Sequence, residues 1–197
     1  MLVEANCIYW GGALMRLVYD FMENFKNNLP PASAASCPSI PDLRFVHCGV
    51  AVPSSNKEGP IYLLEERIDD KFVKYILNNS LSPVPHLTGR DLKIALFLCF
   101  SQHVQYLDTQ ENLFLSDFQG GGPLLTDPQV ITASKYSTKF AAGNISSVLE
   151  SFKQLHKCNY YCQWFGLTPY GDSTDVRETV PRSVESDMDL GTQSTST

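Results

Sequence analysis

The first 25 residues carry apolar side chains at a helical spacing. These positions are Leu14, Leu17, Val18, Phe21, Met22 and Phe25. The period predicts one amphipathic helix over about residues 3–25, ending before an Asn-Asn-Leu-Pro-Pro stretch. Residues 26–42 are rich in Pro, Ser and Ala. We expect them to form a flexible loop, because they offer little apolar surface to bury.

Short apolar runs and a second helical stripe follow the loop. The runs at residues 45–52, 61–64 and 72–77 have the composition of strands. The stripe comprises Leu92, Ala95, Leu96, Cys99 and His103. It predicts a second helix in which His103 faces the core, and Thr88 to Asp91 have the form of a capping box at its start.

A third helix is predicted after Asn144, which is a good N-cap residue. Its apolar face would comprise Ile145, Val148, Leu149, Phe152 and Leu155. His156 adjoins this face, so a second histidine is expected to point toward the core. Residues 171–197 are mostly Ser, Thr, Asp and Glu, and we expect a disordered acidic tail because burial cannot offset the chain entropy there.

Composition narrows the class of protein. The 197 residues carry a net charge of −6, which argues against nucleic acid as a partner. No run approaches the roughly 20 apolar residues that span a bilayer, and the amino terminus lacks a basic leader. We therefore expect a cytoplasmic protein without a membrane partner, in which the six cysteines are thiols or metal ligands.

Two segments carry candidate chemistry. Asp117 follows the apolar run 113–116 and precedes Phe-Gln-Gly-Gly-Gly, and Asp127 comes ten residues later. Two carboxylates in this arrangement can orient a hydroxyl group and bind Mg²⁺ for phosphoryl transfer. Taken alone, they are better explained as turn or cap residues. Further along, His156, Cys158 and Cys162 place three good zinc ligands within seven residues.

In this order and spacing, the segments resemble the α-kinases, a family of atypical Ser/Thr protein kinases. The resemblance extends from about residue 3 to residue 167, and Ser-Asp-Phe-Gln-Gly with Leu-Leu-Thr-Asp-Pro-Gln is similar to the fungal members. It implies an α+β fold over residues 1–170, namely the hinge and C-terminal lobe of the kinase domain. It also implies a kinase that uses ATP and Mg²⁺ to phosphorylate Ser or Thr of a protein substrate.

The resemblance assigns roles to five residues of the nucleotide site. Asp117 would be the catalytic base, and Gln119 and Asp127 would contact Mg²⁺ or phosphate. Thr126 belongs to the Thr-Asp-Pro motif that contains the metal carboxylate. Glu65 would lie at the hinge between the lobes, near the adenine ring. Apart from the family, Glu65 is equally well explained as a solvated charge in a strand-turn-strand segment.

The family resemblance also completes the zinc site. It adds His103, fourteen residues before Asp117, to His156, Cys158 and Cys162. Two imidazoles and two thiolates form a closed tetrahedral set, which is typical of a structural Zn²⁺ site.

The chain also departs from the family pattern. The family has strands before the first helix, with a lysine that binds the phosphates, and these are expected to be absent here. No lysine of the chain stands in an equivalent sequence context. The substrate-side loop is also altered, at residues 141–146. The alternative function is therefore a catalytically inactive, zinc-stabilised scaffold derived from such a kinase.

Overall fold

The computed structural model describes residues 2–54, 58–140 and 145–170, without the side chains of residues 137–139. The expected acidic tail and the predicted cap Asn144 lie outside these residues. Among the described residues, no helix is both long enough and apolar enough to cross a bilayer.

The first helix, α1, spans Leu2–Asn27 and confirms the helix predicted from the apolar period. Its buried face includes Leu14, Val18 and Met22. The helix lies close to the sheet at Gly11, where an added Cβ would come within 2.9 Å of the Phe45 ring. A glycine is therefore needed for this close approach.

The segment after α1 contains a one-turn helix, α2, at Pro31–Ala34. Aromatic side chains bond to the rest of the segment. The Tyr19 hydroxyl donates to Pro41 O at 2.9 Å, and the Tyr161 hydroxyl donates to Ser39 O at 2.9 Å. The flexibility of residues 26–42 stays a prediction.

Within the described residues, eight short strands form three small sheets. The first contains β1 (Arg44–Phe45), β4 (Val73–Lys74), β6 (Gln119–Gly121) and β7 (Leu124–Thr126), in the order β1-β7-β6-β4. Only the β1–β7 pair is parallel in this sheet. The antiparallel pairs β2 (Cys48–Ala51) with β3 (Tyr62–Glu65), and β5 (Leu113–Ser116) with β8 (Gln129–Thr132), form the other two. The predicted strand at residues 45–52 is thus two strands, and the one at 72–77 is only two residues long.

The second long helix, α3, spans Gly89–Asp108 and lies at the centre of the fold. The sequence predicted burial for one stripe of this helix only, whereas every residue from Phe97 to Tyr106 is buried. The predicted capping box was wrong: in the described structure the Thr88 side chain makes no cap hydrogen bond. Thr88 has the extended backbone of an N-cap residue, but Gly89 after it has φ of +54° instead of a helical value.

The predicted third helix is broken into two short helices, α4 (Ser146–Glu150) and α5 (Phe152–Leu155). Ser151 separates them with ψ of 9°, so the apolar face does not continue and Leu155 is 48% exposed. A final helix, α6, spans Tyr160–Trp164 and packs against α3. A further 3-10 helix lies at Ser134–Lys139.

Candidate active site

The two predicted site aspartates each follow a strand and share an unusual backbone conformation. Asp117 follows β5 and Asp127 follows β7, with φ of +60° and +47°. Residues other than glycine rarely adopt positive φ, although aspartate tolerates it better than most. Such conformations concentrate at functional sites, where the surrounding structure holds them in place.

A chain of polar contacts joins these aspartates. Lys74 Nζ lies 2.6 Å from Asp117 Oδ1 and 2.9 Å from Gln119 Oε1. The other end of the Gln119 amide donates from Nε2 to Asp127 Oδ2 at 3.1 Å. The structure therefore brings Asp117, Gln119 and Asp127 together around one lysine.

Lys74 is the site residue that the sequence argument missed. It belongs to β4, which pairs with β6 so that Lys74 lies directly opposite Gln119. Both Lys74 and Asp117 are partly buried, with side-chain exposures of 31% and 23%. The sequence indicated this residue only through the Lys-Tyr pair in the predicted strand at 72–77. Its contact with the site depends on the pairing of β4 with β6, which joins segments far apart in sequence.

Glu65, at the end of β3, contacts the residue that precedes Asp127. The Thr126 hydroxyl donates to Glu65 Oε2 at 2.6 Å, immediately before Asp127. The neighbouring Glu66 accepts two hydrogen bonds from the Arg44 guanidinium, at 2.6 and 2.7 Å. These bonds from Arg44 lower the pKa of Glu66 to about 2. Glu65 and Glu66 thus fasten the end of β3 to β7 and to β1.

The glycine run between the aspartates forms a tight hairpin from β6 to β7. A Cβ on Gly120 would overlap the Leu124 carbonyl, and one on Gly122, with φ of +57°, would overlap the Asp70 carboxylate. The glycines are therefore required by the close approach of the backbone. Their tight turn places Gln119 opposite Thr126 and next to Asp127.

A second cluster contains the four predicted metal ligands. The ligand atoms of His103, His156, Cys158 and Cys162 all lie within 4.8 Å of one another. Cys158 Sγ is 3.6 Å from His103 Nδ1, and Cys162 Sγ is 3.7 Å from His156 Nε2. A zinc tetrahedron built from nitrogen and sulfur has edges of roughly 3.3–3.8 Å. The two nitrogen–sulfur contacts lie in this range, and imidazole nitrogens and thiolates are the donors that Zn²⁺ prefers.

The electrostatics of this cluster also suit a cation. His103, His156 and Cys162 are buried, and Cys158 is half-buried. The hydrogen bond from Cys162 lowers the pKa of Cys158, and the same contact, with burial, raises the pKa of Cys162. Burial also lowers the pKa of His156, which favours the neutral imidazole that binds metals. A divalent cation would favour the thiolate form of both cysteines and neutralise their charge.

Comparison with known proteins identifies one family over most of the chain. The sequence model of the Alpha-kinase family matches residues 13–162. This range contains every site residue discussed above. Alpha-protein kinase 2 of Danio rerio is 34% identical over 134 residues, which are 68% of this chain and 7% of that protein. Eukaryotic elongation factor 2 kinase of Mus musculus is 33% identical over 125 residues, which are 63% of this chain and 16% of that protein.

Solved structures share the fold. The alpha-kinase domain of myosin heavy chain kinase A in complex with AMP aligns with a TM-score of 0.54 at 22% identity. The alignment covers 83% of this chain and 60% of that domain. The complex of the same domain with ADP gives a TM-score of 0.53 at 23% identity, covering 82% and 59%. The chain thus spans less than two thirds of the solved domain and a small part of the curated relatives.

Proposed function

The chain belongs to the alpha-kinase family, and we propose that it carries the catalytic residues for ATP-dependent phosphorylation of Ser or Thr in a protein substrate. The observation that supports this most strongly is the contact chain from Asp117 through Lys74 and Gln119 to Asp127. A turn or cap role for Asp117 would not require a partly buried lysine against its carboxylate. Phosphoryl transfer needs carboxylates held in fixed positions.

In this proposal the two aspartates have different tasks. Asp117 orients the substrate hydroxyl and accepts its proton, and Lys74 fixes the carboxylate for that role. Asp127 and Gln119 would hold Mg²⁺, whose charge neutralises the transferring phosphate when it is bound. Lys74 would also supply a positive charge next to the phosphate. Among the described residues, it is the only cationic side chain in contact with Asp117.

Glu65 would contact the adenine amino group at the other end of the nucleotide, as the family resemblance implies for this position. Its hydrogen bond from Thr126 would hold the end of β3 in place for that contact. Nucleotides occur in the related solved domains as AMP and ADP.

The zinc cluster would have a structural task. Zn²⁺ bound by His103, His156, Cys158 and Cys162 would join α3 to the α5–α6 segment and stabilise the fold. A reducing compartment would keep these cysteines available as ligands, and the six cysteines are all free thiols. This supports a cytoplasmic location.

Nucleotide binding can be tested by thermal unfolding with and without Mg²⁺ and ATP. Ligand at about 100 times its Kd stabilises by about 2.7 kcal/mol, which corresponds to a shift of roughly 5–10 °C. We expect such a shift for the unsubstituted chain and for the control Asp69→Asn, whose exposed carboxylate pairs with Arg67 outside the site. Asp127→Asn should lose it. The absence of a shift at millimolar ATP would instead favour the inactive scaffold.

A further inference from the structure

The backbone of β5 is completed by side chains of a helix. One side of β5 pairs with β8, and the other side faces α3. On that side Leu115 N–H donates to Gln105 Oε1 at 2.8 Å, and Gln102 Nε2 donates to Leu115 O at 3.0 Å. Two residues earlier, Leu113 N–H donates to Thr109 Oγ1 at 3.2 Å, and the same hydroxyl donates to Leu113 O at 2.8 Å. Helix side chains therefore bond to the backbone groups that a neighbouring strand would otherwise satisfy.

We call Gln102, Gln105 and Thr109 the side-chain ladder. Their spacing of three and four residues places them on one face of α3 and its C-cap. Both glutamines are fully buried. The direction of each amide follows from its partner, because the Leu115 carbonyl needs a donor and the Leu115 N–H needs an acceptor.

The ladder exists despite a cost in free energy. Gln102 Oε1 and Gln105 Nε2 are buried and have no hydrogen-bond partner among the described residues. A buried polar atom without a partner is destabilising, and an apolar side chain would avoid this. The hydrogen bonds of the glutamines to the Leu115 backbone offset this cost.

The bonded residue lies close to the candidate catalytic carboxylate. Leu115 precedes Asp117 by two residues, and between them the Ser116 hydroxyl donates to Leu77 O at 3.0 Å. Asp117 itself has φ of +60°, and its carboxylate is held by Lys74. A shift of β5 along α3 would therefore move Asp117 away from Lys74.

We propose that the side-chain ladder is a positioning device that fixes β5 against α3 and thereby places the Asp117 carboxylate. Its catalytic consequence rests on the proposed function. Gln102 and Gln105 are positioning residues in this account, and neither touches a substrate.

Two isosteric substitutions separate the ladder from general effects of burial. Gln105→Glu keeps an oxygen that accepts from Leu115 N–H. Gln102→Glu places a carboxyl group against the Leu115 carbonyl: the ionised form repels it, and only a protonated form could keep the bond, at a cost that grows as the pH rises. Both variants bury the same group on the same helix, so the difference between them, measured at about pH 8, reports the bond. We expect Gln102→Glu to melt about 4–8 °C below Gln105→Glu. We also expect faster amide hydrogen exchange across residues 113–118 in Gln102→Glu.

Kinetics test the positioning role in the whole chain, well below both melting temperatures. We expect Gln102→Glu to lower kcat by roughly 10–100-fold, because a small displacement of a catalytic group is costly, with KM for ATP changed less than about threefold. Gln105→Glu should retain most of the activity. Thr109→Val removes the bonds to Leu113, which lies two residues farther from Asp117 along β5 than Leu115 does. It should lower stability with a smaller loss in kcat.

The outcomes are separable. Equal melting temperatures and equal exchange for the two glutamate variants would overturn the ladder. A lower melting temperature with an unchanged kcat in Gln102→Glu would overturn its positioning role and leave it only structural. The unsubstituted chain could also transfer no phosphate while the two glutamate variants still differ in stability and in amide exchange at residues 116–118. In that case the proposed function fails, and the placement of Asp117 by the ladder stands.

Discussion

Phe152→Ala is expected to weaken both the fold and the zinc site. Phe152 is fully buried, and its ring stacks on Tyr106 at 4.0 Å between centroids and on His156 at 5.1 Å, with an interplanar angle of 8° for the latter. It also contacts the Phe114 ring of β5 at 5.1 Å. The ring therefore joins the core beneath α3 to a predicted metal ligand.

The size of the effect follows from this burial. Truncating a fully buried phenylalanine to alanine costs about 3–5 kcal/mol. In a chain of this size each kcal/mol lowers the melting temperature by roughly 2–4 °C, so we expect a loss of about 6–20 °C. Because the ring fixes the orientation of His156, zinc affinity should fall by about tenfold, at the lower end of the effects of groups that orient ligands.

The assay combines thermal unfolding with competition for Zn²⁺ against a chromophoric chelator. Phe97→Ala is the matched control, because Phe97 is also fully buried and its ring packs on Tyr19 and Tyr161 rather than on a ligand imidazole. It should lose similar stability and keep its zinc affinity. Equal zinc affinities for Phe152→Ala and Phe97→Ala would refute the reasoning.

Three further predictions concern other parts of the structure. A chelator should lower the melting temperature of the zinc-loaded chain by about 10 °C or more and should have little effect on His103→Ala, whereas the exposed His86→Ala should respond like the parent. The pKa of Glu66 is lowered in the fold to about 2. Its contribution to stability is thus present above about pH 4.3 and lost as the pH falls toward 2, so Arg44→Met should lower the free energy of unfolding in urea at about pH 7 and not at about pH 2. Gly120→Ala should destabilise the β6–β7 hairpin, because its methyl group would meet the Leu124 carbonyl. Gly12→Ala should raise the melting temperature slightly, because the space around Gly12 in the helix is open. Changes of melting temperature in the opposite directions would contradict this.

The sequence predicted the helices best where the apolar period was simple. The helix α1 has one buried face, and its period located it within two residues at its C-terminal end. The helix α3 is buried on all sides from Phe97 to Tyr106, so a single stripe described it incompletely. The break at Ser151 has no proline or glycine to announce it, and the continuous helix predicted there was wrong.

The site depends on contacts that local patterns do not contain. The predicted ligands His156, Cys158 and Cys162 are close in sequence, so their spacing was informative, whereas assigning His103 as the fourth required the family resemblance. The role of Lys74 arises from its pairing with Gln119, forty-five residues away along the chain. Gln102 and Gln105 look like ordinary polar positions, and only the edge of β5 explains why they are buried.

The most direct test of the account is phosphate transfer from γ-labelled ATP to a protein or to the chain itself, with and without Asp117→Ala. If Asp117 accepts the hydroxyl proton in the site formed with Lys74, Gln119 and Asp127, the substitution should lower incorporation into Ser or Thr by about 100-fold or more. Asp69→Asn should have no effect. Equal incorporation by Asp117→Ala and the unsubstituted chain would contradict the catalytic assignment.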